Sequence, residues 1–274
     1  MHVQQLSCPE DFLSRVRDFL IRQEDINNLP LGILLNLTAV PPAKPPFLAY
    51  VAAGEQICLA MVMTTGHLVL AHPEGDWRRA IETATTWLAR HNIPLSGVIG
   101  PREPAQHFAR LWQPQQSQVE MEQGIYRLDA VLPVSLSPGR LRLAHSGDLD
   151  LVSSWLEDFC REALTPIPPE QARKVAAAGI ADNTYYLWED KEVVSMAKKT
   201  RPTYSGIAIN QVFTPTEYRR RGYATSCVAS LCRLLLKEYK FCCLYTDLAN
   251  PTSNKIYRDI GFRRAADSVS IKFL

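Results

Sequence analysis

The sequence lacks most of the marks that assign a chain at a glance. No CxxC pair occurs among Cys8, Cys58, Cys160, Cys227, Cys232, Cys242 and Cys243, and their number is odd. A disulfide framework or zinc ribbon is therefore not expected; reduced thiols serving as small core hydrophobes in a cytosolic protein are. A surplus of one charge is also missing. Thirty basic and 28 acidic residues leave a formal charge of +2, which argues against wrapping nucleic acid or lying on an anionic membrane, so an anion site must be local. No apolar run approaches the roughly 20 residues that span a bilayer, because the most apolar stretch, 57–71, is broken by Thr64, Thr65, Gly66 and His67. The start carries Pro9, Glu10 and Asp11 where a secretion signal needs a basic end and an apolar centre, so a cytoplasmic location and no membrane partner are expected. Neither GxxxxGK[ST] nor GxGxxG is present, which disfavours nucleoside triphosphates and dinucleotides. No grouping has metal-ligand spacing, and no metal is expected.

What is present is an ordinary globular composition, 46% hydrophobic and 21% charged over 274 residues, enough for one large domain or two medium ones. In the first half the pattern predicts a helix over 9–22, then a loop around Pro41, Pro42, Pro45 and Pro46. A hairpin of 47–53 and 57–63 follows, then a strand at 67–71, a helix over 77–90, a strand at 97–99, a helix over 103–111 and a strand at 124–131. The stretch 133–139 has the prolines, serines and glycine of a linker, which puts a boundary near Ser137. Beyond it the expected order is a strand at 140–144, helices over 149–164 and 168–179, a hairpin of 185–188 and 193–198, and a strand at 207–213. A helix over 224–239, a strand at 241–246, a helix over 251–260 and a strand at 268–273 complete it. Ser146 and Asp148 are capping candidates for the first of these helices. Both halves share one order of hairpin, strand, helix, strand, helix and strand, which suggests duplication.

The informative segment is Val212-Phe213-Thr214-Pro215-Thr216-Glu217-Tyr218-Arg219-Arg220-Arg221-Gly222-Tyr223-Ala224. A strand ending at Thr214, a basic loop with one glycine and a long helix would aim free amides and the positive end of a helix dipole at one spot, beside guanidinium groups. A pyrophosphate suits such a corner, and Gly222 lets it approach the backbone. Taken alone, three arginines also fit a solvated cluster or a small nucleic-acid patch.

Arg219-x-x-Gly222-x-Ala224 resembles the [RQ]xxGx[GA] motif of the GNAT superfamily of acyl-CoA N-acyltransferases. Asn250-Pro251-Thr252-Ser253-Asn254-Lys255-Ile256-Tyr257-Arg258-Asp259-Ile260-Gly261-Phe262 is similar to its second signature. The resemblance covers about 138–274, and the first half shares only the order of elements. It implies an α/β (α+β) fold of two tandem GNAT-like domains, each a mixed, mainly antiparallel sheet flanked by helices. Residues 1–136 would form a degenerate domain without a cofactor loop, and 137–274 the catalytic N-acetyltransferase domain. It further implies acetyl-CoA as co-substrate. The backbone of Val212, Phe213 and Thr214 would meet the pantetheine arm, and Arg219, Arg220, Arg221, Gly222, Tyr223, Ala224 and Thr225 the pyrophosphate. Asn250 and Asn254 would steady the pantetheine amides, and Tyr257 would be the general acid. The acceptor would be a small-molecule or peptide amine.

Helix spacing puts Asn254, Tyr257 and Arg258 on one face, free to meet a ligand, with Ile256 and Ile260 opposite in the core. The same pattern also fits a structural helix in which Tyr257 merely packs. The family often carries a glutamate on the strand before the loop; Ile207-Ala208-Ile209-Asn210-Gln211 has none, leaving Asp158 and Glu162 as candidate bases or simply solvated charges. A module that binds acetyl-CoA as a sensor or assembly factor without turnover is the alternative. In the first half the corresponding loop reads His72-Pro73-Glu74-Gly75-Asp76, whose carboxylates would repel a pyrophosphate, and His107 is expected to be a packed or surface histidine.

Overall fold

A computed structural model of the chain describes residues 1–40, 42, 44–113 and 116–274. Pro41, part of the expected proline loop, lies outside the described residues. The strands are β1 (His2–Leu6), β2 (Phe47–Ala53), β3 (Gln56–Met63), β4 (His67–Leu70), β5 (Gly97–Pro101), β6 (Ser117–Leu128), β7 (Arg140–Leu143), β8 (Tyr185–Asp190), β9 (Glu192–Thr200), β10 (Gly206–Phe213), β11 (Phe241–Asp247) and β12 (Arg263–Phe273). The helices are α1 (Pro9–Ile21), α2 (Asn28–Ala39), α3 (Trp77–Arg90), α4 (Arg102–Trp112), α5 (Leu149–Ala163), α6 (Pro169–Ala181), α7 (Tyr223–Leu235) and α8 (Pro251–Ile260). The chain divides into two compact units. One comprises 1–125, 247–249 and 264–274, the other 126–246 and 250–263.

The first unit orders its strands β1-β2-β3-β4-β5-β12-β6. β1 to β4 pair antiparallel in succession, β4 and β5 are parallel, and β12 returns antiparallel to β5 from Ser268↔Pro101 to Lys272↔Gly97. Alternation along β2 sends Leu48, Tyr50 and Ala52 into a core with Phe12, Leu20, Leu31 and Leu34 of α1 and α2. Ala49 and Val51 point the other way, into a core with Ile81, Leu88 and Phe108 of α3 and α4.

Two of these elements were not anticipated. α2 carries Pro30 and Gly32, which read as breakers, but Pro30 stands in the first turn, where its missing N–H costs nothing. Its apolar residues then bury most of the helix without a clean amphipathic stripe. β1 is a short edge strand whose polar side chains conceal its pairing. Residues 264–273 of β12 lie in this unit, apart from the rest of the 137–274 expected as one domain; Val269, Ile271 and Phe273 fill the core with Ala105 and Phe108. Alternation marks a strand and does not name the edge it will pair with.

The second unit orders its strands β6-β11-β10-β9-β8-β7. α7 and α8 cover one face through a core that includes Ile209, Cys227, Leu231, Leu244, Tyr257 and Phe262. α5 and α6 cover the other, through Trp155, Ala176, Tyr185, Leu187, Met196 and Phe213. The stretch 133–139 is not a loose linker. The Ser137 amide donates to Ser226 Oγ at 2.7 Å, its hydroxyl donates to the Arg221 carbonyl at 2.6 Å, and Trp188 Nε1 donates to the Pro138 carbonyl at 3.0 Å. All seven cysteines are free, and no described helix is long and apolar enough to cross a membrane.

Asp148 has a different task from the one expected of it. A 3-10 turn at Ser146–Asp148 precedes α5, and Asp148 makes no side-chain cap bond to that helix. Its buried carboxylate accepts Arg142 Nη1 and Nη2 at 2.8 and 2.9 Å and the His145 amide at 2.8 Å. Arg142 also donates Nε to Glu189 on β8 at 2.9 Å, so one guanidinium joins β7, β8 and the start of α5. That guanidinium holds the Asp148 carboxyl below its ordinary range. Its contribution is therefore fully present above the unfolded value of about 3.9 and is lost as pH falls through the lower folded value. Asp148→Asn is expected to cost about 1–3 kcal/mol at pH 7, since the half-buried Arg142 loses one of its two charged partners and keeps Glu189. Urea unfolding of both proteins across pH should show that gap closing below about pH 4. A constant gap would contradict the assignment.

Candidate functional site

The site grows from a strand pair that stops early. β10 and β11 are parallel from Gly206↔Phe241 to Ile209↔Leu244, and no pairing joins them beyond that point among the described residues. On its other side β10 follows β9, with a bulge between Asn210 and Phe213 and Gln211 at φ +48°. A bulge adds a residue to one strand, raises the local twist and turns the strand away from its neighbour. Buried Ser195 of β9 fastens the departing end, donating to the Phe213 carbonyl at 3.1 Å and sharing a hydrogen bond with Thr214 Oγ1 at 2.8 Å. The backbone around Val212 is thus released from β11 at the fork, and a fork of this kind can accept an extended ligand as an added strand would.

Past Phe213 the chain makes a 3-10 turn at Thr216–Tyr218 and enters α7 through Arg219, Arg220, Arg221 and Gly222. Arg220 has φ +62° and Gly222 φ +79°, so the turn passes twice through the left-handed region. At Gly222 a Cβ would be strained and would come within 2.7 Å of Ser137 Oγ. Gly222 is the N-cap and provides no side-chain cap, so the first amides of α7, from Tyr223, Ala224 and Thr225, retain their unsatisfied donors. The Ser226 amide then closes the first helical bond on the Gly222 carbonyl at 2.9 Å.

The three arginines separate. Arg219 is committed: Nη2 donates to both Glu162 oxygens at 2.7 and 2.9 Å, Nε donates to the Thr214 carbonyl at 2.8 Å, and the group lies 5.7 Å from the Phe213 ring centre. Its work is to brace the loop against α5. Arg220 and Arg221 are exposed and have no ion-pair partner among the described residues. Glu162 is consumed by Arg219, and Asp158 pairs with Arg161 at 2.9 Å, so both carboxylates considered as bases are neutralised by arginine. Tyr223 is buried, and its hydroxyl donates to Asp190 at 2.7 Å.

α8 begins and ends as its sequence predicts. Asn250 accepts the Ser253 amide at 3.1 Å, Pro251 opens the helix, and Gly261 ends it at φ +113°. Its faces differ from the expectation. Asn254, Tyr257 and Ile260 are the buried residues, while Ile256 is only partly buried and Arg258 is exposed. So polar a helix has too few apolar residues for a core stripe, and the stripe takes in Asn254 and Tyr257. Tyr257 packs edge-on to Phe262 at 5.8 Å, in the core that also holds Ile209 and Leu244, the last pair before the fork. Burial pushes its phenol well above the ordinary range, so the group stays protonated and acts as a hydrogen-bond donor.

The equivalent corner of the first unit is closed by its own side chains. Asp76 caps α3 by accepting the Arg79 amide at 3.2 Å, and Glu74 takes Arg22 through two bonds at 2.8 and 2.9 Å. His107 packs edge-on to Trp77, with ring centres 5.6 Å apart.

Sequence reasoning missed Ser137, Ser195, Ser226 and Gln211 as parts of this site. Only Gln211 left a local trace: Asn210-Gln211 places two polar residues in succession where alternation should continue, the mark of a bulge.

The GNAT acetyltransferase family model matches residues 184–267. No curated protein matches the chain. Among solved structures, a GNAT-family acetyltransferase from Colwellia psychrerythraea has a TM-score of 0.61 at 10% identity, covering 100% of both chains. A GCN5-related N-acetyltransferase from Sphaerobacter thermophilus has 0.64 at 14%, covering 99% of this chain and 95% of its own. A tandem GNAT protein from the clavulanic acid biosynthesis pathway has 0.56 at 13%, covering 98% and 97%. The fold is that of GNAT proteins.

Ser226 Oγ accepts the Ser137 amide and donates to the Gly222 carbonyl at 3.0 Å. Ser226→Ala should therefore cost about 0.5–1.5 kcal/mol, by leaving the half-buried Ser137 amide without its acceptor. Denaturant unfolding measures this directly, and a loss below a few tenths of a kcal/mol would show that the corner does not depend on the strap.

Proposed function

From a chain whose residues 184–267 match the GNAT acetyltransferase model and whose fold is that of GNAT proteins, we propose that it transfers an acetyl group from acetyl-CoA to a primary amine by direct attack. The observation that carries this reading is the uncapped start of α7 beside the β10–β11 fork: anion donors next to a slot for an extended chain. In this proposal the amides of 220–225 hold the pyrophosphate with Arg220 and Arg221, while Arg219 braces the loop. The backbone of Val212, Phe213 and Thr214 meets the pantetheine arm, and Asn250 and Asn254 orient its amides. The first unit, with its corner capped by Asp76, is a cofactor-free supporting domain. The acceptor is a small-molecule or peptide amine.

The amine must arrive neutral to attack the thioester carbonyl. The C–N bond forms as the C–S bond breaks, the amine nitrogen gives up its proton to solvent water, and the sulfur leaves as a thiolate that is then protonated to the free thiol. Tyr257 is buried as a side chain, and we assign its hydroxyl to that sulfur. Because its pKa is raised above that of a typical thiol near 8.5, it stabilises the thiolate chiefly by hydrogen bonding and then by proton donation.

A second reading, a module that binds acetyl-CoA without turnover, is favoured by the pairing of Asp158 and Glu162 with arginines. Acetyl transfer to a panel of amines by protein saturated with acetyl-CoA separates the two.

Calorimetric titration with acetyl-CoA and CoA should show binding to the wild type and none to Gly222→Glu. Binding by both would discard the assigned corner, and binding by neither would discard the acetyl-CoA reading. Tyr257→Phe should lower kcat about 10²–10⁴-fold with little change in the KM for acetyl-CoA. Unchanged turnover would remove Tyr257 from the chemistry.

A further inference from the structure

One polar cluster beside the fork is unused by this mechanism. Lys198 of β9 stands opposite Tyr185 of β8 on one side and opposite Asn210, at the start of the bulge, on the other. Its ammonium lies 4.7 Å from the centre of the Tyr185 ring. Tyr185 is fully buried in the core under α5 and α6, and its hydroxyl donates to Gln211 Oε1 at 2.5 Å. Lys198, Tyr185 and Gln211 thus form one contiguous group, level with the point where β10 leaves β11.

The electrostatics of this group are one-sided. Lys198 is half-buried and has no ion-pair partner among the described residues. Burial lowers its ammonium pKa, and the acid that opposes this, Asp182, stays beyond ion-pair distance. Lys199 follows on β9 and Arg201 lies just past its end, 5.6 Å from the Tyr245 ring centre. Neither 195–201 nor 206–213 contains an acidic residue. A partly desolvated cation without a counterion is a standing electrostatic cost, which an incoming anion would offset.

We propose that the acceptor is a small amine that also carries a carboxylate, and that Lys198, held by Tyr185 and the bulge at Gln211, binds that carboxylate while the amine reaches the fork. The proposal rests on the acetyl-transfer reading. The same charge repels polyamines, which would bring further cations beside the Lys198 ammonium. It also lowers the pKa of an ammonium placed beside it, which helps the acceptor shed its proton where Asp158 and Glu162 are already paired. Lys198 is a specificity residue here and takes no proton.

The test is the ratio of kcat/KM for glycine over glycinamide, with putrescine as a third acceptor, in the wild type, Lys198→Met and Lys198→Arg. Comparing ratios between proteins cancels the intrinsic reactivity of each amine. A charge-assisted bond to the carboxylate predicts that Lys198→Met lowers the glycine-to-glycinamide ratio by about 10- to 100-fold and raises putrescine relative to glycine, while Lys198→Arg retains most of the preference. An unchanged ratio in Lys198→Met, or a wild type that prefers putrescine, overturns the proposal. Should no amine in the panel react, calorimetry with N-acetylglycine and N-acetylglycinamide in the presence of CoA decides. Tighter binding of the acid that disappears in Lys198→Met supports the proposal. Equal binding, or a preference that survives the substitution, overturns it. Neither readout uses the Gly222→Glu variant; failure of the wild type to bind acetyl-CoA and CoA would instead remove the acetyl-transfer reading beneath the proposal.

Discussion

The early end of the β10–β11 pairing is the constraint on which the second unit turns. A parallel ladder satisfies backbone groups in both strands, and after Ile209 and Leu244 it does so no longer. The bulge at Gln211, φ +48°, creates this condition and Ser195 maintains it, by fastening the far end of β10 to β9. Backbone groups released in this way need another partner. The helix that follows offers a matching deficit at its start, since Gly222 brings no capping side chain. Two sets of unsatisfied groups at adjoining positions are what make this corner the candidate site.

The contrast with the first unit sharpens the point. Its sheet repeats the same sequence of antiparallel strands followed by one parallel pair, with α3 placed as α7 is. There the helix start is satisfied by Asp76 and the loop is tied down by Arg22 and Glu74. One carboxylate at an N-cap is enough to occupy the donors that an external anion would otherwise take. The difference between an open corner and a closed one thus lies in which residue ends the loop, glycine or aspartate.

Support for the open corner comes from far away in sequence. Ser137 reaches Arg221 and Ser226, Glu162 reaches Arg219, and Asp190 reaches Tyr223. Each holds a loop that passes twice through left-handed backbone, a conformation that persists only where its surroundings over-determine it. The strap at 133–139 is proline-rich because it must stay extended while it crosses the start of α7, and this gives it the composition of a linker.

Legible from local pattern alone were the order of most elements, the caps of α8, the glycine turn before α7 and the absence of a carboxylate on β10. All of these are written in residues within a few positions of one another, where periodicity and capping rules apply. The tertiary structure alone decided that β12 pairs with β5, that Arg219 and Glu162 neutralise each other, that α8 buries Asn254 and Tyr257, and that Lys198 lies against Tyr185 beside the bulge. Those outcomes depend on which distant surfaces meet. A strand's alternation or an arginine's charge states what it needs without saying which partner supplies it.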